Sequence, residues 1–349
     1  MKYKFENIIF NITEKKKPVE EDKYNYIGLE HLESGNLFIS KWGSDTAPEG
    51  EKIVMKKGDV LFGKRRAYQK KVAISPIDGI FSAHGMVLRP KEDVICKEFL
   101  PFFISSEAFL NEAIRISVGG LSPTVNWKDI KELEFDLPSL AEQKVLAEKL
   151  WAAYEVKQSY LKMIEATEEM VKSQFIEMFK DDEMVPLEDF CNIEKGSTIT
   201  RNDVIPGTIP VVAGGQEPSC YHNVSNREAG MITISASGAY AGFVNYWTIP
   251  IFASDCNTIC PKEKDDTNAL FLYYGLKSMQ NKIYGLQKGG AQPHVYGKDL
   301  QKVHFPLPSI EKQNSFSLIA EQADKSISEL RKSVDAIDKV IKSLINENL

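Results

Sequence analysis

Residues 119–143 read GGLSPTVNWKDIKELEFDLPSLAEQ, and residues 289–313 read GGAQPHVYGKDLQKVHFPLPSIEKQ. The two stretches align without a gap, 170 positions apart, and 11 of their 25 residues coincide. The shared residues are the Gly-Gly pairs, Pro123/Pro293, Val125/Val295, Lys128-Asp129/Lys298-Asp299, Phe135/Phe305, the Leu-Pro-Ser triplets and Gln143/Gln313. Self-similarity at a fixed offset marks a duplicated structural unit. Upstream, FSAHGMVLRPKE from Phe81 resembles FASDCNTICPKE from Phe252, each followed by an aromatic-rich segment, FLPFFISSE from Phe99 and LFLYYGLKS from Leu270. The offset drifts there by a residue or two, as loop insertions produce.

Each copy runs into a long stretch that predicts a helix. After Pro138 no Pro or Gly occurs until Pro186. Positions 147, 150, 154, 157, 161, 164, 168, 171, 175 and 178 alternate by three and four and are apolar except Lys157 and Glu168. The series 316, 320, 323, 327, 330, 334, 337, 341 and 344 is apolar throughout. Such spacing is a heptad seam. Ser139 and Ser309 stand where N-caps belong, although only the first is followed three residues later by Glu (Glu142) and the second by Lys312. Helices of roughly 40 residues extend about 60 Å at 1.5 Å per residue. Two single-seam helices in one chain pair most simply with each other, antiparallel, around a pseudo-twofold axis. The reading is therefore α+β: two tandem globular α/β domains, 1–138 and 183–308, each followed by a long helix, 139–180 and 309–349. Runs such as VAISPIDGIFS, MITISAS and GFVNYWTIPIFAS read as strands, and EFLPFFISSEAFLNEAI and NALFLYYGLKSMQNKI read as helices.

Composition agrees with globular domains. The 349 residues carry 43% hydrophobic and 26% charged side chains, ordinary for a globular protein of about two domains. No run approaches the roughly 18 apolar residues of a membrane span, and the N-terminus, MKYKFENIIF, has no signal-peptide pattern. The five cysteines, 96, 191, 220, 256 and 260, lack CxxC pairing and zinc-like spacing, so they read as buried reduced thiols of a cytosolic protein. The net charge of −6 argues against a protein that coats nucleic acid. It leaves room for local basic faces, because counterion release depends on the residues in contact.

Catalytic signatures are missing from the sequence. It holds no GxxxxGK[ST], GxGxxG, HExxH or GxSxG pattern, no EF-hand loop and no Asn/Asp-Pro-Pro-aromatic tetrapeptide. The strongest binding candidate is a basic run of Lys64, Arg65, Arg66, Lys70 and Lys71 with Tyr68 among them, following the strand-like DVLFG. Lysine suits phosphate contact, and arginine suits bidentate reading of guanine. The corresponding place in the second copy reads SASGAYAGFV. There Ser235 and Ser237 can bond a phosphate or base, and small residues around Tyr240 permit close backbone approach. Lys288, Gln292 and His294 form a polar run around the second Gly-Gly pair, and glutamine pairs with adenine N6/N7.

A GG-x-x-P-x-V-x-x-K-D-[IL] segment, then a strand-like Phe, then [LP]-L-P-S-[LI]-x-x-Q opening a long helix, all occurring twice, resembles type I restriction–modification specificity subunits. GGAQPHVYGKDL at 289–300 and FGKRRAYQKKVAI from Phe62 are especially similar to that family, and the resemblance spans essentially the whole chain. It implies two target-recognition domains, each reading half of a split site in double-stranded DNA, with the helices as a ruler between them. It also implies docking of two methyltransferase (modification) subunits, which carry S-adenosylmethionine and methylate adenine N6, and of restriction subunits. The chain itself would then be non-catalytic and need no cofactor or metal. Other readings are a specificity protein of another multi-subunit defence system and a coiled-coil scaffold with protein-binding heads.

Overall fold

The computed structural model describes residues 1–263, 265–290 and 292–349. Lys264, and Ala291 of the second Gly-Gly segment, lie outside the described residues. The chain forms two compact units, one of Met1–Tyr160 with Lys332–Leu349, the other of Leu161–Arg331.

In the first unit, strand β1 (Lys2–Lys4) leads through a single turn, α1 (Phe5–Ile8), into β2 (Ile9–Ile12). A short two-residue strand, β3 (Lys15–Lys16), follows, then β4 (Tyr26–Ile27), β5 (Lys52–Met55), β6 (Val60–Phe62), β7 (Val72–Ile74), β8 (Gly79–Phe81) and β9 (Met86–Pro90). Helices α2 (Leu100–Ser105), α3 (Glu107–Arg115) and α4 (Trp127–Ile130) precede β10 (Glu134–Asp136) and the long helix α5 (Leu140–Phe179). One sheet has the order β2-β9-β6-β7 and is antiparallel; a second has the order β3-β5-β8-β4, with β4 and β8 parallel. β10 pairs with β1 so that Tyr3 faces Phe135. Phe135 points inward and its neighbours outward, the alternation of a half-buried strand. EFLPFFISSEAFLNEAI breaks into two helices at Ser106, whose hydroxyl accepts from Phe109 N at 3.1 Å and so caps α3. Phe5, Phe103, Phe109 and Phe135 meet with ring centroids 5.1–6.5 Å apart, the tilted and edge-on packing aromatic quadrupoles favour.

The second unit repeats this plan. β11 (Met184–Pro186), α6 (Leu187–Phe190) and β12 (Cys191–Lys195) follow one another as β1, α1 and β2 do. Then come β13 (Pro206–Val212), β14 (Cys220–His222), β15 (Met231–Ser235), β16 (Val244–Trp247), β17 (Phe252–Ala253) and β18 (Cys256–Pro261). Helices α7 (Ala269–Ser278), α8 (Gln280–Tyr284) and α9 (Gly297–Gln301) precede β19 (His304–Pro306) and the second long helix, α10 (Ile310–Asn346). The antiparallel sheet β12-β18-β15-β16 matches β2-β9-β6-β7 strand for strand. The smaller sheet is β14-β13-β17. Val185 faces Phe305 across β11 and β19 as Tyr3 faces Phe135.

The long helices are built into these cores. In the first unit Leu146, Ala147, Leu150 and Tyr154 of α5 share a buried cluster with Ile345 of α10. In the second, Phe175 and Phe179 meet Phe316 edge-on, with ring centroids 5.4 and 5.5 Å apart. Within each unit the two segments run antiparallel, and the two polar residues of the first seam each find a partner. Lys157 Nζ lies 2.6 Å from Asp338 Oδ1 in the first unit, and Arg331 Nη2 lies 3.3 Å from Glu168 Oε1 in the second.

Gln143 and Gln313 explain the last identity of the repeat. Both are 0% exposed. Gln143 accepts from Cys96 N at 2.9 Å and donates to the carbonyls of Val94 and Pro138 at 3.0 Å. Gln313 accepts from Asn268 N at 2.9 Å and donates to the carbonyls of Asp266 and Pro308 at 3.0 and 2.9 Å. Each amide thus satisfies buried backbone groups ahead of the neighbouring helices, which would otherwise be left without partners. The first cap is a reciprocal box: Ser139 N donates to Glu142 Oε2 at 2.8 Å, and Glu142 N donates to Ser139 Oγ at 3.4 Å.

Candidate nucleic-acid interface

Strand β6 ends at Phe62, and the basic run forms the loop to β7. Gly63 N bonds Lys71 O at 2.9 Å and closes the loop's base. Inside it, Arg66 and Lys70 have φ of 56° and 50°, the only positive values among the described non-glycine residues. They flank a 3-10 turn, Ala67–Gln69, whose Ala67 is buried. Left-handed backbone costs a residue with a Cβ about 1–2 kcal/mol, and such strain persists only where the surroundings impose it. At Arg66 the first Gly-Gly loop imposes it. Val125 N donates to Lys64 O at 2.9 Å and Arg66 N to Pro123 O at 2.7 Å, while Arg66 Nε reaches Ser122 Oγ at 3.2 Å. The Gly-Gly loop is itself closed by Val118 and Thr124, bonded both ways at 3.0 and 2.9 Å, with Gly119 at φ 120°. Leu121 at its tip is 97% exposed.

The second unit contains the same lock. Val295 N donates to Ala236 O at 2.9 Å and Gly238 N to Pro293 O at 3.0 Å. Lys288 and His294 close the second Gly-Gly loop with bonds of 2.9 and 2.8 Å. Gly238, in the place of Arg66, has φ 83°. The same backbone frame therefore carries different side chains in the two units.

In the first unit Lys64, Arg65 and Arg66 are brought together with His84 and the Gly-Gly loop. Arg65 N bonds His84 O at 3.1 Å and its Nη1 lies 3.2 Å from His84 Nε2. Burial, then Arg65, Lys64 and Lys52, hold His84 below its ordinary pKa, so the neutral ring accepts from the guanidinium. Burial and nearby Lys15 also lower Lys64. Tyr68 is exposed. Lys71 donates to Leu29 O at 2.7 Å. Lys70 lines a cavity of about 260 Å³ with Tyr154, Lys157, Asp338 and Lys342. These two lysines thus have places apart from the Arg65–Arg66 cluster.

In the second unit Ser235 is a correction: it is 4% exposed at the end of β15 and donates to Gly215 O at 3.3 Å, so its hydroxyl is spent inside the fold. Ser237 donates to Asp255 Oδ2. Tyr240 and Gln292 are exposed. Lys288 Nζ pairs with Asp299 at 2.7 Å, and His294 stacks on Tyr296 at 6.0 Å. The sequence reading missed His84, Ser122 and Asp255. His84 and Asp255 come from segments where the two copies drift out of step, and Ser122 stands opposite Gln292 in the ungapped repeat, so only the fold shows what each of them meets. The cysteines also need revision. Cys96, Cys191 and Cys256 are buried, and burial pushes the last two up to about 12, but Cys220 and Cys260 are only half-buried. Among the described residues, no group of three or more His, Cys, Asp or Glu could hold a metal ion, and no helix is long and apolar enough to cross a membrane.

Two repeats of one frame, each presenting a variable loop clamped to a Gly-Gly loop, define a modular recognition protein. The chain belongs to the family of the type I restriction modification DNA specificity domain, whose model matches residues 8–164 and again 180–338. Its role is DNA recognition in such a system. It is 25% identical to the putative type I restriction enzyme MjaX specificity subunit of Methanocaldococcus jannaschii, over 93% of this chain and 87% of that protein. The fold is similar to the S subunit of a type I restriction-modification system from M. genitalium, with TM-score 0.58 and 16% identity, covering 99% of this chain and 94% of that one. A structure solved for complex assembly and conformational transition of the type I R-M system gives TM-score 0.56 and 19% identity, covering 100% and 97%.

Proposed function

We propose that the globular parts, 1–138 and 183–308, each read one half of a bipartite site in double-stranded DNA. The long helices, 139–180 and 309–349, set the spacing and dock two methyltransferase subunits, to which restriction subunits add. Methyl transfer to adenine N6, and the S-adenosylmethionine it uses, belong to those partners, and the assembly works in the cytoplasm on unmodified DNA. The DNA-facing surface is assigned to Lys64, Arg65, Arg66 and Tyr68 in the first half and to Ser237, Tyr240, Lys288, Gln292 and His294 in the second, with Lys70 and Lys71 at the margin. The observation that carries this reading is the repeated lock, Arg66 N to Pro123 O and Gly238 N to Pro293 O, which holds unlike side chains in one frame.

The test is a chimera. Residues 183–308 are replaced by the equivalent segment of a homologue, the chain is co-expressed with its modification subunits, and methylated sites are sequenced. One half-site should change completely and the other remain. A chimera that methylates the original sites, or changes both halves, would overturn the reading.

A further inference from the structure

At corresponding places the two loops offer opposite hydrogen-bonding chemistry. In the first unit Arg65 is held by His84, through Arg65 N to His84 O at 3.1 Å and Nη1 to Nε2 at 3.2 Å. No carboxylate pairs with Arg65 among the described residues, so most of its five N–H donors remain for a ligand. In the second unit Ser237, bridged to His294 of the Gly-Gly loop, donates to Asp255 Oδ2. No cation pairs with Asp255 among the described residues. Phosphates repel a carboxylate, so on a DNA-facing loop its use is to accept from base amino groups, while a fixed guanidinium matches the two acceptors of guanine.

Building on the recognition role proposed above, we infer that the half-sites are read with opposite polarity. Arg65, steadied by His84, donates to guanine O6 and N7 in one half. Asp255, steadied by Ser237, accepts from an exocyclic amine, cytosine N4 or adenine N6, in the other. Arg65 and Asp255 are the specificity determinants; His84 and Ser237 are positioning residues.

The whole complex with its modification subunits is used, its site first read by sequencing methylated DNA. Arg65→Lys keeps the charge but loses the fork, and discrimination at one guanine of one half-site should fall roughly tenfold or more. Replacing that guanine by 7-deazaguanine should weaken wild-type binding by a similar factor and Arg65→Lys no further. Asp255→Ala, which removes the acceptor, should lose discrimination at one position of the other half-site only. Removing the amine there, with purine for adenine or 2-pyrimidinone for cytosine, should weaken wild type but not the variant. Ser237→Ala should weaken the same position and Ser237→Thr restore it, which keeps the test open should Asp255→Ala unfold. Unchanged discrimination in Asp255→Ala and Ser237→Ala, or tolerance of 7-deazaguanine throughout the first half-site, would overturn the inference. If the 183–308 chimera still exchanges a half-site, only the polarity assignment falls; if it exchanges nothing, the recognition role falls with it.

Discussion

Arg66 and Gly238 occupy corresponding places on the two loops, at φ 56° and 83°. The space around Gly238 is open, with nothing within 4 Å of an added Cβ. Gly238→Ala should therefore cost about 1 kcal/mol through backbone strain alone, measured as a lowered midpoint in denaturant. Arg66→Gly relieves the same strain in the first unit, so stability should hold or rise by up to about 1 kcal/mol while DNA affinity falls. A second residue-scale prediction concerns Gln143. Gln143→Leu leaves Cys96 N and the carbonyls of Val94 and Pro138 without their partner, which should cost about 2–4 kcal/mol on chemical denaturation. Gln143 was legible in sequence as an identity of the repeat, because a buried amide with three backbone partners tolerates few residue types; the left-handed backbone at 66 and 238 was not, because the two copies fill it with different residues. His84 and Asp255 were not, because a contact between distant loops leaves no local periodicity.

The long helices were legible as elements from spacing alone, and their polar interruptions acquire meaning only with partners. Lys157 is nearly buried and pairs with half-exposed Asp338, also bonding Gly35 O at 3.3 Å. Asp338→Asn strands the ammonium and should cost about 1–2 kcal/mol, a range reduced for the exposure of Asp338. Lys157→Met fills the seam with an apolar chain and should be close to neutral. Thermal unfolding of the two variants checks the asymmetry. At the same scale, one heptad added to each helix, between 160 and 161 and between 331 and 332, lengthens each by about 10 Å, or roughly three base pairs. The half-site sequences should persist and the gap between them change. The DNA also turns about a tenth of a circle per base pair, so activity is expected only at gaps that keep both grooves in reach. Sequencing methylated sites decides it: the original gap, methylated efficiently, would show that the helices are not the ruler. Sequence drift hid the first strand–turn–strand of the repeat. β1-α1-β2 and β11-α6-β12 share a path but few residues, because a half-buried pair constrains pattern more than identity.

The whole molecule is acidic, −6 over 349 residues, and one loop, 64–71, concentrates five of its 43 basic residues. The isolated chain should accordingly bind DNA weakly and lose that binding steeply with salt. Incubated with S-adenosylmethionine and DNA, it should transfer no methyl groups; robust transfer by the pure chain would contradict the division of labour proposed above. The first unit is closed by Lys332–Leu349, which brings Ile345 into one buried cluster with Leu150 and Tyr154. During synthesis those residues leave the ribosome long after Tyr160. At 5–20 residues per second the delay is roughly 10–40 s. Throughout that interval the nascent first unit carries an uncovered apolar stripe, open to chaperones and to premature pairing with neighbouring chains on the same messenger.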